Sequence, residues 1–176
     1  MKLIALCPPL RWSLPLVAAM VFASVLRSDE TKPAADTSKP KRDVVVKALH
    51  PISVLVGEWK GVGQPKRGSN AGAWSEKVVA GWQFGDATQL GMKFESSKLY
   101  SQATFGLADD GKTPQLTLQK TDGDPLILTV TSAEEDASEK FVSWSFASSA
   151  DAETQVRATV RIISDIRATL LFEERN

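Results

Sequence analysis

The chain has 176 residues, with 21 basic and 21 acidic side chains, one histidine and one cysteine. This balance of charge provides no basic surface for nucleic acid or for an anionic membrane. Zinc, copper and iron–sulfur centres need several histidine or cysteine ligands, which the sequence does not supply. The composition therefore predicts a protein without a metal centre and without a nucleic-acid partner.

Residues 1–23 have the layout of a secretory signal peptide. Lys2 and Arg11 are basic, an apolar run follows them, and small residues end it at Ala23. The run is shorter than the roughly 20 residues of a spanning helix, and Pro15 interrupts it. We expect export to the periplasm, the cell envelope or the medium, with cleavage after Ala23 and no stable membrane span after cleavage. The alternative is a signal that is kept as an anchor.

Cleavage after residue 23 also changes the composition. It removes Cys7, so the exported protein would have no disulfide, and it leaves 19 basic against 21 acidic side chains, a net charge of −2. Residues 24–43 are rich in Lys, Asp, Thr, Pro and Ala, which is typical of a flexible linker. Residues 44–176 then have the size of one domain.

The domain begins with an apolar stretch, residues 44–56. Pro51 prevents a long helix there, so we expect a short helical plug packed beneath the first strand. His50, the only histidine, lies in this plug.

The first predicted strand is rich in glycine. One face of it holds four residues of the same parity, namely Gly57, Trp59, Gly61 and Gly63. Glycine weakens a strand interior unless the strand must bend or another group must approach closely. The first strand of a small closed barrel meets that condition.

The second predicted strand follows a Pro-, Gly- and Ser-rich turn at 64–72. Its aromatic and apolar face holds Trp74, Glu76, Val78, Ala80, Trp82 and Phe84. Glu76 is the one carboxylate on that face. Because a buried carboxylate is costly unless it is paired or hydrogen-bonded, we expect Glu76 either at the barrel mouth with a structural bond or at a functional site.

In the rest of the chain, apolar residues recur at every second position. Turns rich in Gly, Pro and Asp fall at 108–114 and 121–125, and residues 133–140 form an acidic surface loop. The spacing of 8 to 12 residues between short strands is typical of an all-β sandwich or barrel, and no long segment has a helical period. We expect an all-β fold, a single up-and-down antiparallel β-barrel of about nine to ten strands, in preference to a sandwich.

Residues 55–63 read Leu-Val-Gly-Glu-Trp-Lys-Gly-Val-Gly, and an aromatic residue and a glutamate two positions apart follow the polar turn. This pattern resembles the opening of nitrobindin-like haem-binding domains and of related lipocalin-like (calycin) barrels. The resemblance implies a calycin-type cavity behind a short helix. The haem-binding members ligate iron through a histidine near their last strands, and residues 151–176 contain none. Only His50 could serve as the ligand here, so a haem-binding barrel is the least favoured alternative.

Three functions stay open at this point. The first is a binding module whose interior holds a small apolar or amphipathic ligand, with Glu76 and Arg67 at its polar end. The predicted lining residues are Trp59, Trp74, Val78, Trp82, Phe84, Met92 and Phe94. The second is a structural or interaction protein of the cell envelope with a filled core, in which the indoles are core residues and Arg67 is a solvated cation. The third is an enzyme with Glu76 as general base, for which the sequence offers no second catalytic group.

Overall fold

The computed structural model describes residues 2–7, 40–136, 141–152 and 154–175, the first six and Arg175 by their backbone. The predicted leader beyond residue 7 and the linker up to residue 39 lie outside the described residues. The helical elements are an α-helix, α1 (Arg42–Ala48), and a 3-10 helix (His50–Leu55). The strands are β1 (Lys2–Cys7), β2 (Gly57–Gln64), β3 (Trp74–Phe84), β4 (Thr88–Phe94), β5 (Tyr100–Leu107), β6 (Pro114–Lys120), β7 (Leu126–Asp136), β8 (Phe141–Ala147), β9 (Gln155–Ser164) and β10 (Arg167–Arg175).

Strands β2 to β10 form one antiparallel sheet in which each strand pairs with the next strand of the chain. The nine strands run up and down in a strongly curled sheet, with one short α-helix before them. The prediction of an all-β, antiparallel, up-and-down fold with a short helical plug is confirmed. The remaining strand, β1, lies between β10 and β2 and pairs antiparallel with both.

The alternation in the sequence positions the core. On β4, for example, Leu90, Met92 and Phe94 are buried, whereas Lys93 between them is exposed. A strand sends successive side chains to opposite faces, so the apolar parity of each strand points to the inside of the curl.

The predicted plug is present. Buried side chains of α1 and the 3-10 helix join the same core as the strands, and they are Val45, Leu49, Ile52 and Leu55. The helix begins at Arg42, within the last two residues of the predicted linker. Since the 3-10 helix leads directly into β2, the plug covers the end of the sheet where β2 begins and β3 ends. We call this end the plug end, and the opposite end, which carries the β2–β3 turn (65–73) and the β4–β5 loop (95–99), the far end.

The prediction of an acidic loop at 133–140 is wrong for its first four residues. Strand β7 continues to Asp136, which pairs with Phe141 of β8, while residues 137–140 lie outside the described part of the chain. A register shift between Val130 and Ser132 precedes this extension, and beyond it the side chains of β7 are exposed. Ladder hydrogen bonds need only the backbone, so acidic side chains that remain in water do not end the strand.

The interior is filled at many positions around the curl. Several inward side chains of β3 to β8 have no accessible surface at all, namely Val78, Leu90, Phe105, Leu116, Leu118, Leu128 and Phe146. A cavity wide enough for water would leave part of each bordering side chain accessible. These side chains are therefore in contact with other protein atoms on all sides, at the density of an ordinary protein core.

Candidate functional site

Glu76 is the centre of a polar group at the far end of the sheet. It is 2 % exposed, although its neighbours on β3 are aromatic and apolar. Its Oε2 accepts a hydrogen bond of 2.8 Å from the indole Nε1 of Trp74, and its Oε1 accepts one of 3.1 Å from the backbone N–H of Ser96. Both carboxylate oxygens are thus bound by the protein, and one bond ties the β4–β5 loop to β3.

Trp74 reaches this position because β2 has a glycine opposite it. Gly63 pairs with Trp74 in the β2–β3 ladder. A Cβ atom on Gly63 would come within 2.1 Å of the indole ring, so the ring lies directly over the glycine backbone. Close approach of another group was one of the two reasons expected for glycine in this strand, and the group that approaches is an indole of the same hairpin.

A second polar contact at the far end joins β5 to β10. Tyr100 is buried, its ring lies 4.7 Å from the ring of Phe172 between centroids, and its hydroxyl donates to Oε1 of Glu174 at 3.3 Å. Burial, together with the nearby Glu174 carboxylate, raises the pKa of Tyr100 well above its ordinary value. Tyr100 is the only tyrosine of the chain, but nothing in the sequence links it to Glu174, 74 residues away.

Four of the predicted lining residues are core side chains, each 4 % exposed or less: Trp59, Val78, Met92 and Phe94. The Trp59 indole Nε1 donates a hydrogen bond of 2.7 Å to the carbonyl oxygen of Leu55, at the end of the 3-10 helix. This bond joins the plug to the first strand of the sheet.

The other predicted residues lie apart from Glu76. Trp82 and Phe84 stack at the plug end with ring centroids 6.2 Å apart, and the Arg42 guanidinium lies 3.8 Å from the Phe84 ring centroid. Arg67 is exposed in the β2–β3 turn, whereas Glu76 is bound by Trp74 and Ser96. The structure thus joins Trp74 to Glu76, whereas Arg67, which we expected beside Glu76 at the polar end of a ligand, lies in the exposed turn.

Sequence reasoning did not single out Trp144 on β8. This indole is buried, and within the described part of the chain its Nε1 is a buried donor without a hydrogen-bond partner. The sequence shows that Trp144 and Phe146 lie on the same face of β8. It does not show whether the indole N–H has a hydrogen-bond partner, because a partner for an inward-facing donor would come from another strand.

Cavities occur at the plug end and on the outer face. One of about 280 Å³ lies between the 3-10 helix and the ends of β7, β8 and β9, with His50, Val54, Glu135, Phe141 and Ile162 among its walls. An outer-face depression of about 400 Å³ is bordered by Trp82 and Met92 of the predicted set and by Gly81 and Gly91.

The described residues contain no group of three or more His, Cys, Asp and Glu side chains that could hold a metal ion. Within the same part of the chain, no helix is both long and apolar enough to cross a membrane.

A strongly curled antiparallel sheet with a short helix at one end is the class that the geometry defines, and it is compatible with a lipocalin-like fold. The chain matches no protein-family model, no curated protein and no solved structure.

Proposed function

We propose that this chain is an exported interaction protein of the cell envelope, built as a lipocalin-like barrel with a filled core. The observation that carries the proposal is the absence of accessible surface on several inward side chains of β3 to β8, of which Leu90, Phe105 and Phe146 are examples. A ligand pocket of ordinary size occupies about 300 Å³ or more. Inward side chains packed on all sides leave the outer faces and the strand edges as the surfaces for recognition.

The environment of Glu76 supports a structural role for this residue. A general base needs an oxygen within hydrogen-bond reach of the proton that it removes. Both oxygens of Glu76 instead accept hydrogen bonds from Trp74 and Ser96. The bond to Ser96 fixes the β4–β5 loop, and because Glu76 is only 2 % exposed, its carboxylate has little access to a substrate.

Export rests on the sequence pattern of residues 1–23, with its basic start, short apolar run and small residues before the cleavage position. The likeness to calycin barrels rests on the Gly-Trp-Gly strand and on the curled antiparallel sheet that follows a short helix. No metal or cofactor is part of the proposal.

Native mass spectrometry of the exported protein, purified from its own source, tests the proposal together with an absorbance scan. We expect the mass of the chain alone, starting at Ser24, with no chromophore and no small molecule that leaves on denaturation. A retained small molecule would contradict the filled-core proposal, and a Soret band would identify that molecule as haem.

A second candidate function is the binding of a small apolar ligand in the interior, and one observation favours it. The Trp144 Nε1 is a buried donor without a partner among the described residues, and leaving such a group unsatisfied costs about 1–3 kcal/mol. A ligand with one acceptor atom would satisfy it.

A Trp144→Phe variant tests this candidate, since it removes the donor and keeps an aromatic ring. If an acceptor ligand is bound there, the retained mass should disappear in Trp144→Phe and persist in Lys60→Ala, whose side chain is exposed on β2. Retention of the same mass in both variants would contradict a role for Trp144.

A further inference from the structure

Nine strands follow the plug, and this odd number limits how the two edge strands of the sheet can pair. Strands β2 to β10 alternate in direction, so β2 and β10, the first and last of nine, run the same way. Pairing them directly would require a parallel ladder in a sheet whose other ladders are all antiparallel. A single inserted strand allows both edges to keep antiparallel pairing.

Strand β1 occupies this place in the full-length chain. It pairs over five residues with β10 and over five with β2. Ile4 is in register with Gly63 on one side and with Leu170 on the other. The distance between β2 and β10 is therefore two strand spacings, about 9 to 10 Å. We call the space between these two strands the β2–β10 slot.

The walls of the slot are apolar on the inner side. Strand β10 contributes Ala168, Leu170 and Phe172, each 2 % exposed or less, and β2 contributes glycine at positions 61 and 63. The sequence of β1, Lys-Leu-Ile-Ala-Leu-Cys, is apolar after its first residue. Such a slot selects an extended segment of about six residues with apolar side chains at alternate positions.

Strand β1 also lies inside the segment whose removal is predicted on export. Cleavage after Ala23 would take Lys2–Cys7 away and leave two strand edges, each with a row of unpaired N–H and C=O groups. Such edges are templates for pairing with another chain.

From this placement, we propose that the β2–β10 slot is a docking site for an extended strand of a partner protein. The strand pairs antiparallel with both β2 and β10, as Lys2–Cys7 does before processing. This inference rests on the proposed function, because it names the kind of partner that an exported interaction protein of this fold would bind.

Hydrogen exchange of the exported protein, after its N-terminus has been determined by intact mass, tests the docking site. The probe is a synthetic hexapeptide with the sequence of Lys2–Cys7 and the change Cys7→Ser. Without the peptide, we expect fast exchange of the amides of β2 and β10 that face the slot, while the alternate amides remain paired with β3 and β9. At saturating peptide, the amides that face the slot should exchange at least tenfold more slowly. Exchange in β5 and β6, on the opposite side of the sheet, should not change.

The matched control is the same peptide with Ala5→Pro, which removes one N–H from the middle of the inserted strand. Ala5 is in register with Val62 and Thr169, so this peptide should give no protection. Equal protection by both peptides would overturn strand insertion.

Each remaining outcome also decides the proposal. It is overturned if the exported protein retains Lys2–Cys7, or if the amides of β2 and β10 that face the slot are already protected without peptide, either in the monomer or by pairing within a dimer of twice the mass. Protection of the edges in a monomer would leave the filled-core proposal intact. A small molecule retained in native mass spectrometry would contradict the filled core, but it would not change the result of the exchange experiment on β2 and β10.

Discussion

The two ends of the curled sheet are covered by different kinds of side-chain contact. At the plug end, Leu49, Ile52 and Leu55 have no accessible surface, and the seal is made of apolar contacts. At the far end, the buried groups include a carboxylate and a phenol, Glu76 and Tyr100, each hydrogen-bonded to a partner from another part of the chain.

This difference separates two kinds of stabilisation in one molecule. Apolar contacts at the plug end contribute in proportion to buried area and depend little on pH. The polar contacts at the far end fix particular atoms, contribute less each, and respond to charge. Substitutions at the two ends should therefore differ in size and in pH dependence.

The largest effect is expected from Ile52→Ala in the plug. The side chain is fully buried, so its truncation removes apolar contacts and leaves a cavity, at a cost of about 2–5 kcal/mol in the free energy of unfolding. Urea unfolding monitored by circular dichroism measures the loss. Val44→Ala is the control, because Val44 is 47 % exposed on α1, and a change as large there would contradict burial as the cause.

A smaller loss is expected from Gly63→Ala at the far end. The new methyl group would overlap the indole of Trp74, which must move and weaken its bond to Glu76. We expect a destabilisation of about 1–3 kcal/mol and a shift in tryptophan fluorescence. Gly81→Ala is the matched control, since a Cβ at Gly81 meets nothing within 4 Å. Similar losses in both variants would indicate a general intolerance of alanine in the strands.

Glu76→Gln is expected to cost about 1–2 kcal/mol. A glutamine side chain offers one acceptor oxygen where two donors, from Trp74 and Ser96, need partners, so one of these two N–H groups loses its bond to residue 76. Glu58→Gln is the control because Glu58 is exposed on β2, and we expect a change within about 0.5 kcal/mol there. Equal stability of the Glu76→Gln variant and the parent protein would show that these bonds contribute nothing.

The smallest effect is expected from Tyr100→Phe, which removes one hydroxyl and its bond to Glu174, about 0.5–1.5 kcal/mol at neutral pH. The pH dependence is more informative. Because burial raises the pKa of Tyr100 in the folded state, the stabilisation is complete below about pH 10, where an unfolded tyrosine ionises, and is lost as the pH rises above it.

Absorbance titration of tyrosinate measures this pKa directly, since Tyr100 is the only tyrosine in the chain. The folded protein should titrate well above pH 10, and the Tyr100→Phe variant should lose less stability between pH 9 and 11. An ordinary tyrosine titration in the folded state would contradict the burial of the phenol.

The curled sheet and the parity of its side chains could be predicted because burial follows a period of two along each strand. Trp74 and Glu76 were placed on one face by this period alone, and the structure joins them by a hydrogen bond. The donation from Ser96 could not be predicted, because it comes from the backbone of a loop 20 residues away and any residue type can donate it.

The position of Lys2–Cys7, as a strand between β10 and β2, could not be predicted either. The same basic and apolar residues fit the start of a signal peptide and fit a strand, so composition does not distinguish the two uses. Similarly, the acidic residues at 134–136 indicated a loop, but the backbone of β8 was available to pair with them. In both cases the deciding factor is a neighbouring strand edge rather than the side chains of the segment.

The order of the strands also bears on how the molecule folds. From β2 to β10, every ladder joins strands that are consecutive in the chain, with turns as short as the one between Ser164 and Arg167. Pairing of sequence neighbours needs little loop closure, so hairpins can form one after another and contact order stays low for an all-strand protein. A chain whose strands pair in this order can thus assemble the sheet from β2 to β10 one hairpin at a time, as each new strand becomes available.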